Sequence, residues 1–263
     1  MKIVFVGAGR LATHFASALH SKGHSIVAVY SRTMQSASAL CSVVGGTPTD
    51  SIADLPADAD AYILAVKDSA LPQLIPLLQQ GREERPMFHT AGSMPMSVFG
   101  ESGQHGVIYP MQTFSKERAV DFSQIPVFIE ANTDAALSVA RRLAQSVSTR
   151  VTELSSEERR YLHLAAVFAC NFANHCYDLS AQILERHGLT FDVMLPLIDE
   201  TAAKVHDLHP HDAQTGPAVR YDENVINAHM QLLAEMPRLQ EVYDLLSGSI
   251  FYTHHTVLTS HSQ

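Results

Sequence analysis

KIVFVGAGRLA, residues 2–12, carries the strongest structural signal in the chain. The apolar run at residues 3–6 predicts a buried strand, and the G-x-G-x-x-A motif after it stands where a helix begins. In such a turn Gly7 permits the sharp bend, Gly9 lets the backbone approach a pyrophosphate, and Ala12 allows close packing of helix and strand. The motif therefore predicts dinucleotide binding, although a tight turn without a ligand would use the same glycines. The predicted cofactor-binding residues of this turn are Gly7, Ala8, Gly9, Arg10 and Leu11.

The rest of the first half alternates short β-branched apolar runs with amphipathic stretches of helical length, which is typical of a doubly wound parallel sheet. The predicted strands are residues 2–6, 25–30, 59–66, 86–89, 106–109, 126–130 and 150–152. The predicted crossover helices are residues 11–21, 34–41, 71–80 and 134–146. Residues 59–66 are apolar at nearly every position, so we expect them to form a central strand that is covered on both faces.

Strand signals stop after about Thr152, and long helical periods follow at residues 156–187, 191–208, 217–234 and 237–253. This half opens with SSEE at residues 155–158, where either serine could cap a helix and the acids suit the helix dipole. We therefore place a domain boundary between residues 153 and 154. The fold class is α/β: a doubly wound Rossmann sheet at residues 1–153, followed by an all-helical domain at residues 154–263.

Length and composition indicate an ordinary two-domain globular protein, with 263 residues, 46% hydrophobic and 17% charged. The formal net charge of −9 would repel phosphate polymers and anionic lipid, so we expect neither nucleic acid nor a membrane as a partner. The three cysteines contain no C-x-x-C pair, and the apolar run before Gly7 is too short for a signal peptide. These features favour a cytoplasmic protein with reduced thiols.

The second predicted strand ends in VYSRT, residues 29–33, at the place where an NAD-selective protein has an acid that binds the ribose hydroxyls. No acid is present, and a guanidinium offers forked donors to a phosphate. We therefore predict NADP rather than NAD, with its 2′-phosphate bound by Arg32 beside Ser31 and Thr33. A solvated loop arginine is the alternative.

The carboxyl ends of parallel strands border the ligand in an open sheet, which places Val66 and Lys67 beside the cofactor. The next strand leads into a loop of small residues that lets the backbone come close to a nicotinamide ring. We expect Ala91 in this loop to bind cofactor and Ser93 to bind substrate. Lys67 and His89 could act directly at the site. An equal alternative is a structural role, as a solvated side chain or as a hydrogen-bonded imidazole at the sheet end.

Several further segments resemble known families. ILAVK at residues 63–67 and TAGS at residues 90–93 resemble parts of pyrroline-5-carboxylate reductase and the wider 6-phosphogluconate-dehydrogenase-like superfamily. YPMQTFSK at 109–116, HLAAVFACNFANH at 163–175 and AQTGPAVR at 213–220 give nearly the full chain a closer resemblance to a bacterial family of Rossmann-like NADP oxidoreductases. The resemblance implies a Rossmann domain joined to a helical domain that commonly dimerises, with the substrate between them. It names no substrate.

Hydride transfer to a carbonyl needs a proton donor, whereas an imine nitrogen can arrive protonated. At about 100° per residue, Asn174 lies about 20° and Asn171 about 80° from His163 around one helix, so the three can form a polar stripe that faces the cleft. His163 is the candidate proton donor because imidazole exchanges protons near neutral pH. Alternatively, these polar groups satisfy one another within a helical core.

Lys204 lies on the second long helix among small residues, where it could bind a carboxylate or polarise a carbonyl, or be an ordinary surface lysine. Gln112 and Thr215 are candidate substrate contacts, with turn-stabilising and helix-capping roles as alternatives. Arg220 could clamp a carboxylate, but we expect it to pair with Asp222 or Glu223.

HDLHPHD at residues 206–212 contains metal-ligand residue types, but Pro210 interrupts any single-face geometry and no regular metal motif matches. We therefore predict no metal site. Cys170 and Cys176 have apolar neighbours on a helix, which favours core packing over a nucleophilic role.

Together these features predict an oxidoreductase that transfers hydride between NADP(H) and a small, carboxylated carbonyl or imine substrate. The apolar faces of the helical half predict a homodimer. The alternative is a non-catalytic NADP-binding sensor or a dimeric interaction protein.

Overall fold

The computed structural model describes residues 1–115, 118 and 120–255. These residues form two compact units, Met1–Phe172 and a second that begins at Ala173. The predicted boundary after residue 153 coincides with the end of the last strand, and the first unit continues through one more helical segment to Phe172. Lys116, the last residue of the first segment resembling the oxidoreductase family, lies outside the described residues.

The first unit contains one sheet of eight strands. They are β1 (Lys2–Val6), β2 (Ser25–Tyr30), β3 (Thr47–Thr49), β4 (Ala61–Leu64), β5 (Met87–His89), β6 (His105–Pro110), β7 (Val127–Ala131) and β8 (Val151–Glu153). Their order across the sheet is β3-β2-β1-β4-β5-β6-β7-β8, which confirms the predicted α/β fold. Neighbouring strands are parallel except for β6 and β7, which pair antiparallel.

Strand β4 lies at the centre of the sheet, as its continuous apolar sequence predicts. Strand β3 was missed because its three residues, TPT, contain no apolar run. It pairs parallel with β2 and forms one edge of the sheet.

Helices cover both faces of the sheet. They are α1 (Arg10–Ser21), α2 (Met34–Val44), α3 (Leu71–Gln79) and α4 (Asp134–Val147). Because side chains alternate along a strand, Ile3 and Phe5 of β1 face a core shared with α1, α2 and α4, whereas Val4 and Val6 face a core shared with α3. Both clusters are almost fully buried, so the first unit has a complete two-sided core.

A helical segment follows β8 and completes the first unit. Helix α5 (Ser156–Ala166) begins at a capping box, in which the Ser155 side chain accepts the N–H of Glu158 and the Glu158 carboxylate accepts the N–H of Ser155. This confirms the predicted helix start. The segment continues as a π-helix over Val167–Phe172.

The second unit is helical over its described residues. Its helices are α6 (Ala173–Arg186), α7 (Leu195–Asp207), α8 (Pro217–Arg220), α9 (Glu223–Leu232) and α10 (Pro237–His255). The predicted helix 217–234 is divided because Tyr221 adopts a left-handed conformation with φ of 52°. Asp222 then caps α9 by accepting the N–H of Val225. None of the helices in the described ranges combines the length and apolar character needed to cross a bilayer.

Candidate active site

The turn after β1 requires a glycine at position 7. Gly7 has φ of +113°, and a Cβ there would lie 2.3 Å from the backbone oxygen of Ala65. Its N–H donates to the carbonyl of Tyr30 at 2.8 Å. The turn is therefore packed between β2 and the end of β4, and no side chain fits.

The packing of the described residues would tolerate a side chain at position 9. A Cβ at this position would meet no heavy atom within 4 Å, and φ is −79°. Gly9 is the N-cap of α1 without a side-chain cap, and the first turn carries no acidic residue. Because no side chain caps this turn and Gly9 borders open space, its N–H groups and the helix dipole are suited to a pyrophosphate.

The loop after β2 offers a second anion site. Arg32 is exposed and forms no ion pair among the described residues. Thr33 is the N-cap of α2, whose first turn contains no acidic residue, and its hydroxyl donates to Ser36 Oγ at 2.9 Å. A guanidinium, hydroxyls and an uncapped helix start therefore lie together, and this combination fits a ribose 2′-phosphate.

The loops after β4 and β5 carry the other predicted cofactor residues at the same edge of the sheet. Val66 is half-buried, Lys67 is exposed and Ala91 is buried. Ser93 does not lie free, because its hydroxyl donates to the Asp68 carboxylate. This contact joins the loop after β4 to the loop after β5, and the sequence analysis did not foresee Asp68.

His163 of α5 lies directly on the loop after β5. A Cβ at Gly92 would lie 2.5 Å from His163 Nδ1 and 3.0 Å from Tyr109 Cζ. The Tyr109 hydroxyl and His163 Nδ1 are 3.1 Å apart, and the two rings meet edge to face. Gly92 belongs to the loop of small residues that we expect to lie close to a nicotinamide ring. The absence of a side chain at Gly92 also leaves room for the Tyr109 and His163 rings.

A largely buried ion pair between Arg159 and Glu130 anchors the first turn of α5. Arg159 is 1% exposed and donates from Nη1 to the Glu130 carboxylate at 2.6 Å. Its Nη2 donates to the Met94 carbonyl at 2.6 Å. Ser156 donates to Glu130 and accepts the N–H of Met96 at 2.8 Å. The loop after β5, strand β7 and the first turn of α5 are thereby connected.

His89, at the end of β5, is a buried neutral imidazole. Its side chain is fully buried, and Nδ1 accepts the N–H of Ala91 at 3.2 Å. Burial, assisted by the nearby Arg159 charge, lowers the pKa of His89 to about 3. The structure thus shows His89 as a hydrogen-bonded imidazole at the sheet end.

A cavity of about 550 Å³ opens beside His163 within the first unit. Residues after β6, including Gln112 and Thr113, line one part of it, and His163, Cys170 and Asn171 line another. Most of its lining surface is apolar, and its size suits a small molecule. Cys170 therefore lines a cavity and Cys176 is exposed, which corrects the expectation that both pack in a core.

The π-helix Val167–Phe172 changes the predicted polar stripe. The angle of about 100° per residue holds for an α-helix, whereas a π-segment has wider turns with i→i+5 bonding. The angular offsets expected for Asn171 and Asn174 relative to His163 therefore do not apply. Asn171 still lines the cavity, and Asn174 belongs to the second unit.

The other predicted residues also lie in the second unit, where their substrate roles stay predictions. Lys204 is near Glu200 at 3.9 Å, one helical turn away. Thr215 is exposed, and Gly216, not Thr215, is the N-cap of α8. The expected ion pair of Arg220 is wrong: no acidic side chain lies within 4.0 Å among the described residues.

Across residues 1–115, 118 and 120–255, no three or more His, Cys, Asp or Glu side chains form a group that could hold a metal ion. The same is true of residues 206–212. In that segment, His211 instead stacks on His254 with ring centroids 4.1 Å apart.

Sequence reasoning missed Tyr109, Arg159, Glu130 and Asp68. Tyr109 lies in one of the segments that resemble the oxidoreductase family, but the residue type alone assigns it no partner. Arg159 appears in an EERR run that is typical of a solvated helix start, so nothing local indicates that its side chain is buried.

Comparison with known proteins gives two matching family models. Residues 2–87 match the model described as "NADP oxidoreductase coenzyme F420-dependent", and residues 125–250 match a domain of unknown function, DUF2520. No curated protein matches the chain.

Solved structures of similar fold include three informative proteins. A Bacteroides fragilis protein described as a "putative NADP oxidoreductase" is 53% identical, with coverage of 95% of this chain and 97% of that one, and a TM-score of 0.91. An imine reductase from Myxococcus stipitatus, in complex with NADP⁺, is 14% identical, with coverages of 95% and 93% and a TM-score of 0.70. A 1-pyrroline-5-carboxylate reductase from Streptococcus pyogenes is 14% identical, with coverages of 95% and 98% and a TM-score of 0.64. The last two show the fold alone.

Proposed function

The chain belongs to the NADP oxidoreductase family of the Bacteroides fragilis protein, and from this premise we propose that it transfers hydride between NADP(H) and a small carbonyl or imine substrate. One observation carries the proposal. His163, a group that can donate a proton, lies against Gly92 in the loop after β5 and also lines the cavity. A proton donor, a substrate-sized space and the ligand-binding edge of the sheet thus coincide.

The residues at this edge fit NADP. The turn before α1 and the first turn of that helix would hold the pyrophosphate through Gly7, Ala8, Gly9, Arg10 and Leu11. The 2′-phosphate would be held by Ser31, Arg32 and Thr33. The nicotinamide half of the cofactor would be bordered by Val66, Lys67 and Ala91. When bound, the reduced cofactor supplies the hydride.

The cavity residues would then orient the substrate and manage its proton. His163 donates to the oxygen or nitrogen of the group being reduced, where negative charge develops. Asn171 and Gln112 supply further hydrogen bonds from the cavity wall, and Ser93 contributes from the loop after β5. Asn174, Lys204 and Thr215 of the second unit complete the proposed set, with Lys204 as the partner of a substrate carboxylate.

We also propose a cytoplasmic homodimer. The three cysteines, Cys41, Cys170 and Cys176, are free thiols, which suits a reducing compartment. Large apolar side chains are exposed along the helices of the second unit, including Leu197, Leu245 and Tyr252. A second copy of the chain would cover such surface. The proposed metabolic partner is a small molecule.

Arg32→Ala tests the cofactor assignment. We expect the affinity for NADPH to fall on the order of tenfold because charged hydrogen bonds to the 2′-phosphate are lost, while the affinity for NADH stays unchanged. Calorimetric titration of both dinucleotides measures the ratio, and Arg142→Ala, at an exposed arginine of α4, is the matched control. An unchanged ratio overturns the choice of NADP, and binding of neither dinucleotide to the wild type overturns the proposed function.

Turnover separates the enzyme from a non-catalytic sensor. The protein with NADPH is given a panel of 2-oxo acids, aldehydes and cyclic imines, and NADPH oxidation is followed by absorbance. We expect at least one compound to be reduced, and His163→Gln to slow that reaction about 100-fold or more. Tight NADPH binding without turnover on any compound would favour the sensor.

A further inference from the structure

Building on the proposed function, we propose that Tyr109 is a positioning residue that fixes His163 as its Nε2–H tautomer. The site then presents a hydrogen-bond donor, and its substrate class is a neutral carbonyl or neutral imine rather than a protonated iminium ion.

The neighbours of Tyr109 hold its side chain in place against His163. Tyr109 belongs to β6, is 8% exposed, and lies with its ring tilted against Phe128 at 6.5 Å. The backbone of Gly92 fills the space on another side, where even a Cβ would overlap both rings. The hydroxyl is therefore held in place by a strand and a loop, 3.1 Å from His163 Nδ1.

The hydroxyl acts as the donor in this contact. Burial raises the pKa of Tyr109, so the phenol stays protonated at neutral pH. Among the described residues, His163 Nδ1 is the one hydrogen-bond partner of the hydroxyl. A buried O–H is satisfied when it donates, and Nδ1 of a neutral imidazole that accepts must carry no proton.

The opposite edge of the ring remains available. His163 is partly exposed, and its Nε2 has no hydrogen-bond partner among the described residues and is not buried. It is therefore accessible, on a residue that lines the cavity. With Nδ1 accepting, Nε2 carries the proton of the neutral ring and offers it outward. When Nε2 gives this proton to the reduced oxygen or nitrogen, the Tyr109 hydroxyl passes its own proton to Nδ1, so the imidazole stays neutral. A proton from water at Nε2, with return of the Nδ1 proton to Tyr109, then restores both groups.

The tautomer determines which substrate fits. An Nε2–H group needs an acceptor lone pair, which a carbonyl oxygen or a neutral imine nitrogen provides. A protonated or N-alkylated iminium nitrogen has no lone pair and would leave the donor unmatched. The Tyr109 contact thus discriminates between two classes of reducible group that the family resemblance leaves open.

A second tyrosine–histidine pair gives an internal control. In the second unit, the Tyr243 hydroxyl and His229 Nδ1 are 2.9 Å apart, and the rings also meet edge to face. Neither residue lines the cavity beside His163. Tyr243→Phe therefore removes the same kind of contact without touching the proposed site.

Nitrogen NMR of ¹⁵N-histidine-labelled protein at about pH 8.5, where imidazole is neutral, reads the tautomers directly. His163→Gln and His229→Gln assign the two signals. We expect His163 in the wild type to be protonated at Nε2, Tyr109→Phe to move it toward a mixture of tautomers, and Tyr243→Phe to affect His229 alone. Wild-type His163 protonated at Nδ1, or a tautomer unchanged in Tyr109→Phe, overturns the proposal. This readout needs no NADPH, so it stands or fails separately from the proposed function.

Substrate class is tested with matched pairs on the wild type: cyclic imines and their N-methyl iminium salts, with ketones of the same ring size. We expect NADPH oxidation with the salts at less than about a tenth of the rate with the neutral compounds. In Tyr109→Phe we expect kcat for the neutral compounds to fall about tenfold with KM within about twofold, and Tyr243→Phe to leave both unchanged. Equal or faster reduction of the salts overturns the assignment of substrate class.

Discussion

The two units bury their apolar side chains to very different degrees. In Met1–Phe172 both faces of the sheet are covered, and side chains such as Phe5, Phe15 and Ile63 are fully buried. In the described residues from Ala173 onward, the buried apolar side chains are few. They are Leu184, Ala218, Leu233 and Leu239. Several large apolar side chains of this unit are instead more than half exposed: Leu197 on α7, Leu232 on α9, and Leu245 and Tyr252 on α10.

The difference teaches that the two halves obtain stability from different sources. A sheet with helices on both faces satisfies its own apolar surface, so the first unit is complete within one chain. Helices that retain a wide exposed apolar face gain less from folding alone, and in the proposed homodimer a second copy would cover that face. The first unit should therefore respond to changes inside its core, and the second to changes on its surface.

The largest effect is expected from Gly7→Ala. The new Cβ would overlap the Ala65 carbonyl while the backbone holds φ of +113°, so we expect the free energy of unfolding to drop by about 3–5 kcal/mol. Urea denaturation measures this loss. Gly9→Ala is the matched control, because its Cβ meets nothing within 4 Å; it should cost about 1 kcal/mol or less and yet weaken NADPH binding more than about tenfold.

If both glycine variants lose stability equally, Gly9 has a packing role that the structure does not show. If Gly9→Ala binds NADPH as tightly as the wild type, the first turn of α1 is not the pyrophosphate site. Either result would remove the distinction between a glycine kept for packing and a glycine kept for a ligand.

Lowering the pH is expected to reduce the free energy of unfolding by an intermediate amount. Unfolded histidine binds a proton near pH 6.5, whereas His89 in the folded protein has its pKa lowered to about 3 by burial. The unfolded state therefore holds more protons between these values, so stability contributed by neutral His89 is present above pH 6.5 and is lost as pH falls. We expect about 2 kcal/mol less stability at pH 5 than at pH 7 from this group.

His89→Phe keeps an aromatic ring beside Phe99 and removes the titrating group. The difference in unfolding free energy between pH 7 and pH 5, measured by urea denaturation, should shrink by about 2 kcal/mol in this variant. The lowered pKa values of His24 and His105, both caused first by burial, leave some acid sensitivity in each protein. Identical pH dependence in wild type and variant would contradict the prediction.

The smallest effect is expected from a surface change in the second unit. Leu245 on α10 is 73% exposed, so Leu245→Asp should leave the fold of one chain intact while weakening self-association about tenfold, or about 1.4 kcal/mol. Leu77→Asp, on exposed α3 surface of the first unit, is the control and should not alter association. Sedimentation equilibrium measures both, and a wild type that is monomeric at working concentrations would refute the homodimer.

Local sequence was sufficient for much of the fold. Strands β1 and β2 follow the predicted bounds because their apolar runs end at turn residues, and the capping box at Ser155 and Glu158 lies where SSEE predicts it. The break at Tyr221 and the π-helix Val167–Phe172 were not predictable in this way, since each interrupts a pattern that remains compatible with a continuous helix.

The sequence by itself determined the glycine turn with the uncapped start of α1, and also the cation at Arg32 just before α2. Each of these features depends on residues that are neighbours along the chain. Only the tertiary structure decided that Tyr109 meets His163 and that Arg159 is buried against Glu130. These partners are far apart in sequence, and a side chain's type does not specify its distant contacts. They form only when sheet, loop and helix pack together and exclude water from the groups between them.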